Sequence, residues 1–196
     1  MAKARAKTLS KQHELGIEGV LQPYRQGDLD GLCGPYCVVN AVRLATYPQR
    51  RLRDAECVEL FAALVAELAD MGRLRVAVTD GTGKVGRLAR RAGCWLRDEH
   101  GLELEVMRPF TKRRGPDPAS CLRLVTEHLA RPGTAAILAT EDHWTVARAV
   151  SGRRLVLFDS YDRKHFRLGT AFGAGSSANR LCLHGTYLLR VPWPVR

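Results

Sequence analysis

Between residues 36 and 45 nearly every position is apolar: Cys37, Val38, Val39, Ala41, Val42, Leu44 and Ala45, interrupted by Asn40 and Arg43. The run predicts a helix, with Pro35 in its first turn, where a missing N–H costs nothing. A helix that is apolar all round cannot lie on a surface; other elements have to wrap it. The chain must therefore fold as layers around this segment. It has 196 residues, 45% of them apolar and 26% charged. A domain of that size buries roughly 70% of the surface its unfolded chain would expose, so no disulfide or metal is needed to close the core. The same proportions exclude a disordered, collagenous or repeat-built protein.

Three more helices are predicted. One begins at an Asp54 cap and ends before Gly72, with Val58, Phe61, Leu64, Val65 and Leu68 as its apolar stripe. Another runs from about Lys84 to Leu96. A third opens with Asp117 as cap and Pro118 at its first position, and continues through Leu122, Val125 and Leu129 to Pro132. The period then changes. TAAILAT, HWTVARAV, RRLVLFDS and GTYLLRVP are short β-rich segments separated by turn residues, and they predict an antiparallel sheet in the second half. Helices first and strands after them make an α+β domain, which we place over residues 21–196, behind a basic N-terminal arm over residues 1–20.

Lysine and arginine outnumber aspartate and glutamate by 31 − 20 = 11, which biases the chain toward acidic partners. The arginines are dispersed, at Arg50/Arg51/Arg53, Arg87/Arg90/Arg91, Arg113/Arg114 and Arg153/Arg154. They lack the interleaved aromatics with which single-strand binders stack bases. We read them as a solvated basic surface in preference to a nucleic-acid site. The N-terminal segment has no apolar core of a signal peptide, and no apolar run approaches the length of a membrane span. The six cysteines, at 33, 37, 57, 94, 121 and 182, form neither paired CxxC knuckles nor the framework of a small secreted protein. A cytoplasmic chain without cofactor or metal is the expectation.

Chemistry concentrates in QGDLDGLCGPYCVVNAVRLA, residues 26–45. Cys33 precedes a glycine and the helix-starting Pro35, so it lies at the positive end of a helix whose dipole and terminal N–H groups stabilise a thiolate. Gly31, Gly34 and Pro35 suggest an exposed helix entrance around it. Cys37, inside the apolar run, reads as a small buried side chain. Gln26, seven residues upstream of Cys33, is placed to donate its amide to an oxyanion that also meets the cysteine N–H. The two cysteines are three residues apart in the intervening count, which does not fit the two-residue spacing of a thioredoxin motif.

A cysteine nucleophile needs a base. His13 falls in the arm, His100 in a polar turn, His128 late in a helix and His165 among charged residues, with His184 a weaker candidate. His143 opens the strand HWTVARAV after Glu141 and Asp142. With a three-residue hairpin loop, Val150-Ser151-Gly152, facing residues sum to 302 and Asp159 lies opposite His143, close enough to orient its imidazole. A two-residue Ser151-Gly152 turn would shift the sum to 303 and oppose Asp159 to Trp144. Cys33, His143 and Asp159 together form a nucleophile–base–orienter set.

At these residues (Gln26, the segment around Cys33, HWTV and LFDS) the sequence resembles the papain-like cysteine peptidases. The local style is similar to the Josephin deubiquitinases and the bacterial leader-processing peptidases. The resemblance covers about half the chain. It implies a central N-terminal catalytic helix packed on an antiparallel sheet, and thiol attack on an amide through an acyl-enzyme. It also implies a protein or peptide substrate, acidic given the net charge, with a ubiquitin-like protein among the candidate partners. Peptidase, isopeptidase, deamidase and acyltransferase share such a triad. A different class, a non-catalytic basic module such as a degenerate peptidase or nucleic-acid adaptor, is the alternative.

One further motif stands apart. GTGKVG at residues 81–86 matches GxGxxG, follows the strand-like LRVAV and has Glu103 about twenty residues on. It lies alone between helices, without the βαβ series of a dinucleotide fold, and Val85 stands where a P-loop requires Ser or Thr. We read it as a helix entrance capped by Thr79 or Asp80 that borders the cleft.

Overall fold

The computed structural model describes residues 21–27, 31–80, 83–110, 117–173 and 180–193; the arm expected over residues 1–20 lies outside them. The elements in chain order are α1 (Cys33–Thr46), α2 (Asp54–Asp70), α3 (Leu74–Asp80), α4 (Val85–His100), β1 (Glu105–Met107), α5 (Pro118–Leu129), β2 (Thr134–Ala139), β3 (Trp144–Ser151), β4 (Arg154–Leu157), β5 (His165–Arg167), α6 (Leu168–Ala171), a 3₁₀ turn (Leu183–Gly185) and β6 (Tyr187–Arg190). The strands form one antiparallel sheet in the order β1-β6-β2-β3-β4-β5.

The apolar helix occupies the position its sequence demands. α1 packs against α2 and α4 and onto β2, β3 and β6, and every residue of it but Tyr36 is buried. One face of the sheet, through Ala135, Ile137, Val146 and Leu189, joins the core of α1, α2 and α4. The opposite face, through Ala136, Leu138, Ala147 and Leu188, packs against Cys121, Val125 and Leu129 of α5. The sheet is thus covered on both sides. That is why β2 reads TAAILA and is buried at every residue, without the polar alternation of a half-exposed strand.

The two polar exceptions in α1 have a structural task. Asn40, fully buried, accepts a hydrogen bond from the Tyr24 N–H (2.8 Å) and donates one to the Tyr24 carbonyl (3.0 Å). Arg43 donates to the Gln22 carbonyl at 2.6 Å and lies over the Tyr24 ring, 4.3 Å from its centre. Together they hold residues 21–26 along the helix as a strap. Asn40→Ala is expected to lower stability by about 1–3 kcal/mol, because it leaves paired backbone groups without partners. An unchanged urea midpoint would show that the strap is held by other contacts.

Several elements depart from the sequence expectations. LRVAV is helical, as part of α3, not strand-like. The N-cap of α2 is Arg53; Asp54 is the first helical residue, and Glu56 caps by accepting the Arg53 N–H at 2.7 Å. Thr79 caps no helix: it lies within α3 and donates its hydroxyl to the Arg75 carbonyl. Val58, assigned to the apolar stripe of α2, is 65% exposed. α4 extends past Leu96 to His100 and ends on Gly101, whose φ of +64° suits a glycine. β1 and β5 were not foreseen, and β1 precedes α5, so the strands do not all follow the helices. Asp117 and Pro118 begin α5 as expected, with Asp117 accepting from the Ser120 N–H at 2.8 Å.

Candidate active site

Cys33 is the first residue of α1, at the positive end of the helix. The expected exposed entrance is instead closed: Cys33 keeps 5% of its surface, and Gly34 and Pro35 are buried. On the approach, the Gly31 N–H donates to the Val78 carbonyl of α3 at 2.9 Å. A side chain at residue 31 would lie 2.6 Å from two carbonyl oxygens of α3. Glycine here allows the chain to run against α3 and turn into α1.

His143 lies one residue before β3, in the connection from β2. Its N–H donates to the Thr140 hydroxyl oxygen at 3.1 Å, and its carbonyl accepts the Thr140 N–H at 2.8 Å. This tight turn fixes the backbone of His143. Its Nε2 meets Asp159 Oδ2 at 2.9 Å, with both side chains almost fully buried. The ring also hydrogen-bonds Cys33. The other carboxylate oxygen, Oδ1, accepts the N–H groups of Tyr161 (2.8 Å) and Arg163 (3.3 Å). Asp159 therefore closes the turn at the end of β4 and holds the imidazole with the same carboxylate.

The route to this pairing differs from the expected hairpin. Ser151 pairs with Arg154 around a two-residue Gly152-Arg153 loop, so facing residues sum to 305 from Ala149 to Ser151. With that sum throughout, Asp159 would face Val146 and lie on the opposite side of the sheet from His143. A β-bulge between Ala147 and Ala149 absorbs Arg148 as an extra residue and changes the sum to 304, as in Ala147↔Leu157. The Phe158 N–H then bonds the Val146 carbonyl at 2.8 Å, and Asp159 lies across from Thr145. His143 and Asp159 are thus diagonal neighbours on one face, within reach of each other, and not a directly opposed pair.

Burial works against charging His143, but the hydrogen bonds from Asp159 and Cys33, together with their negative charges, outweigh it and raise its pKa to about 9. Burial likewise works against an ionised Asp159. Hydrogen bonding to His143 and to the Tyr161 N–H, with the imidazolium charge, nevertheless holds its carboxyl below the usual range. Cys37, one helical turn beyond Cys33, is pushed well above an ordinary thiol, first by burial and then by the charges of Cys33 and Asp159. The site therefore keeps an imidazolium beside one cysteine and suppresses ionisation of the other.

A pH dependence of stability follows from His143. Its folded pKa is raised from 6.5 to about 9, so the stability it contributes is complete below about pH 6.5. That contribution declines as pH rises toward 9 and is gone above it. Thermal melts across this range are expected to show the decline in the wild type and to lose it in His143→Gln. Parallel curves for the two proteins would remove the imidazolium from the account.

The strap brings Gln26 to the same end of the sheet. Its N–H donates to the carbonyl of Ser160, the neighbour of Asp159, at 3.2 Å, and its Oε1 is buried. The residues between it and Gly31, numbers 28–30, lie outside the described residues. Sequence reasoning missed three contributors. Tyr161 lies edge-on to the His143 ring, 4.9 Å between centres. Thr140 sets the turn, and Asn40 anchors the strap. Only the apolar neighbours of Asn40 marked it as unusual.

The remaining histidines serve elsewhere. His128 is buried with Nε2 2.8 Å from the Leu189 carbonyl, His100 lies edge-on to Trp95, and His165 is exposed in β5. His184 lends its carbonyl to Arg108, and His13 falls outside the described residues. Lys84, inside the glycine motif, adopts a left-handed φ of +76° before α4; Gly81 and Thr82 lie outside the described residues. Among the described residues every strand pairing is antiparallel, which leaves the motif without the parallel βαβ frame of a dinucleotide site there. Among the described residues no helix is long and apolar enough to cross a membrane. No family model, curated protein or solved structure matches the chain.

Proposed function

We propose that the chain is a papain-like cysteine hydrolase that cleaves an amide bond in a protein or peptide through Cys33, His143 and Asp159. The observation that carries this reading is the buried His143 Nε2–Asp159 contact of 2.9 Å, in a ring that also bonds a cysteine at the start of a buried helix. A structural histidine needs one partner; one held between a carboxylate and a thiol has the connectivity of a proton-transfer relay.

In the proposed reaction the Cys33 thiolate attacks the substrate carbonyl carbon, and the carbonyl oxygen takes the negative charge. The Cys33 N–H and the Gln26 side-chain amide receive that oxyanion. The His143 imidazolium gives its proton to the departing amine as the C–N bond breaks, leaving a thioester on Cys33. Neutral His143 then takes a proton from water, the hydroxide attacks the thioester carbonyl, and the thiolate leaves as the acid is released. Asp159 stays ionised, holding the ring and balancing its charge in both steps. With none of the six cysteines in a disulfide, a reducing compartment such as the cytoplasm suits the protein.

The test uses peptide and ubiquitin-like probes that carry a C-terminal electrophile. Wild type is expected to form a covalent adduct at Cys33 and Cys33→Ala none. Inert thiols together with salt-sensitive oligonucleotide binding would reject the hydrolase in favour of a basic binding module.

A further inference from the structure

A second feature lies beside the catalytic residues and takes no part in the proposed chemistry. A cavity of about 360 Å³ opens at the start of α4, lined by Lys84, Arg87, Arg90, Arg108, Met71 and Tyr187. Its floor is the buried Tyr187 ring, which seats against the first turn of α4 because residue 86 is glycine: a Cβ there would lie 2.5 Å from the ring. On its other side the ring lies 6.2 Å, centre to centre, from Trp144, the residue after His143. Two aromatic side chains therefore connect the cavity to the catalytic end of the sheet.

The charge in this cavity is fixed and largely uncompensated. Arg108 donates Nε and Nη2 to the His184 carbonyl at 3.2 and 3.1 Å and lies over the Tyr187 ring, 5.6 Å from its centre. These neutral partners position the guanidinium and leave its charge intact. Arg87 donates Nε to Glu67 at 2.5 Å, so among the described residues one carboxylate is paired against four cations. Among the described residues neither Lys84 nor Arg90 is paired with a carboxylate. Arg87 and Arg90 are three residues apart on α4 and share a face, and the positive end of the 16-residue helix adds to their field.

We propose, on the reading that Cys33 is a peptidase nucleophile, that this cavity is an exosite for carboxylate side chains of an acidic segment in the peptide substrate. Arginine forks and a lysine around one depression match carboxylates bidentately and at short range. The aromatic floor is buried and covered by Arg108, so it offers no platform on which a nucleobase could stack. The cavity turns a diffuse basic surface into a located preference: acidic residues in the part of the substrate that passes the Trp144 side of the cleft.

Binding is measured with Cys33→Ala protein and fluorescein-labelled hexaglutamate, by anisotropy at low ionic strength. The double variant Lys84→Glu/Arg90→Glu is expected to weaken binding by about tenfold or more, whereas Arg153→Glu/Arg154→Glu, at the distant β3–β4 turn, is not. Equal losses in the two variants, or no loss in the first, would overturn the site. Tighter binding of an oligonucleotide or of pyrophosphate at the same ionic strength would overturn the acidic-peptide assignment. Iodoacetamide labelling of the wild type separates this proposal from the one beneath it. Reactive Cys33 without hexaglutamate binding removes the exosite alone; inert Cys33 with site-dependent binding removes the hydrolase and leaves the cavity as a peptide-binding site.

Discussion

Cys33→Ala is expected to reduce amide hydrolysis by at least ~10⁴-fold, because a nucleophile removed from a triad takes with it the work of the base and its orienter. Cys37→Ala is expected to retain turnover. The two thiols share one face of α1, a helical turn apart, but their surroundings diverge. Cys33 touches the His143 ring at the helix start, whereas Cys37 is 2% exposed within the core and its ionisation is suppressed. The measurement is the catalytic efficiency of both variants on a substrate accepted by the wild type, with circular dichroism as the check on folding. Loss of activity in Cys37→Ala with retention in Cys33→Ala would reverse the assignment.

The next largest effect is expected at His143. In the proposed mechanism His143→Ala removes both the acceptor of the thiol proton and the donor to the leaving amine, and should cost about as much as loss of Cys33. Asp159→Asn should cost less, since an amide oxygen can still accept the ring N–H. It removes the charge, however, that helps raise the His143 pKa to about 9. The wild-type rate is therefore expected to fall on the alkaline side as pH passes about 9, where the imidazolium that protonates the amine is lost. In Asp159→Asn that limb should move toward lower pH. A limb that stays in place would mean that Asp159 orients the ring without setting its charge, and a fully inactive but folded Asp159→Asn would mean that tautomer control dominates.

The helix start at Cys33 and the strand start beside His143 could be read from local sequence, because helix starts, turn residues and strand alternation are written in neighbours. The same applies to α1, to the Asp117-Pro118 start of α5 and to four of the six strands. Where local rules failed, a distant partner decided. LRVAV has the composition of a strand, but it folds as α3 between α2 and the approach to Cys33, where its Val78 carbonyl accepts the Gly31 N–H. Val58 fits the apolar period of α2 yet is 65% exposed, because among the described residues nothing covers that part of the helix. β1 and β5 have three residues each, too few to show a period, and both exist by pairing to longer strands. The His143–Asp159 contact was anticipated through the wrong hairpin loop: neither the Gly152-Arg153 turn nor the bulge at Arg148 leaves a mark in composition.

That bulge means the hairpin is sensitive to the parity of its residue count more than to its length. His143 and Asp159 are 16 residues apart, an even separation. Around a two-residue turn, an unbroken ladder puts residues an odd separation apart on a common face. The residue accommodated at Arg148 corrects the mismatch, so its side chain matters less than its place in the count. Deleting Arg148 would shorten the separation to 16 − 1 = 15 and restore a continuous ladder in which Thr145 still lies across from Asp159. We expect this deletion, unusually for one inside a β-strand, to preserve the histidine–carboxylate bond. A polypeptide relative with an uninterrupted hairpin and a separation one residue shorter would present the same histidine–carboxylate face.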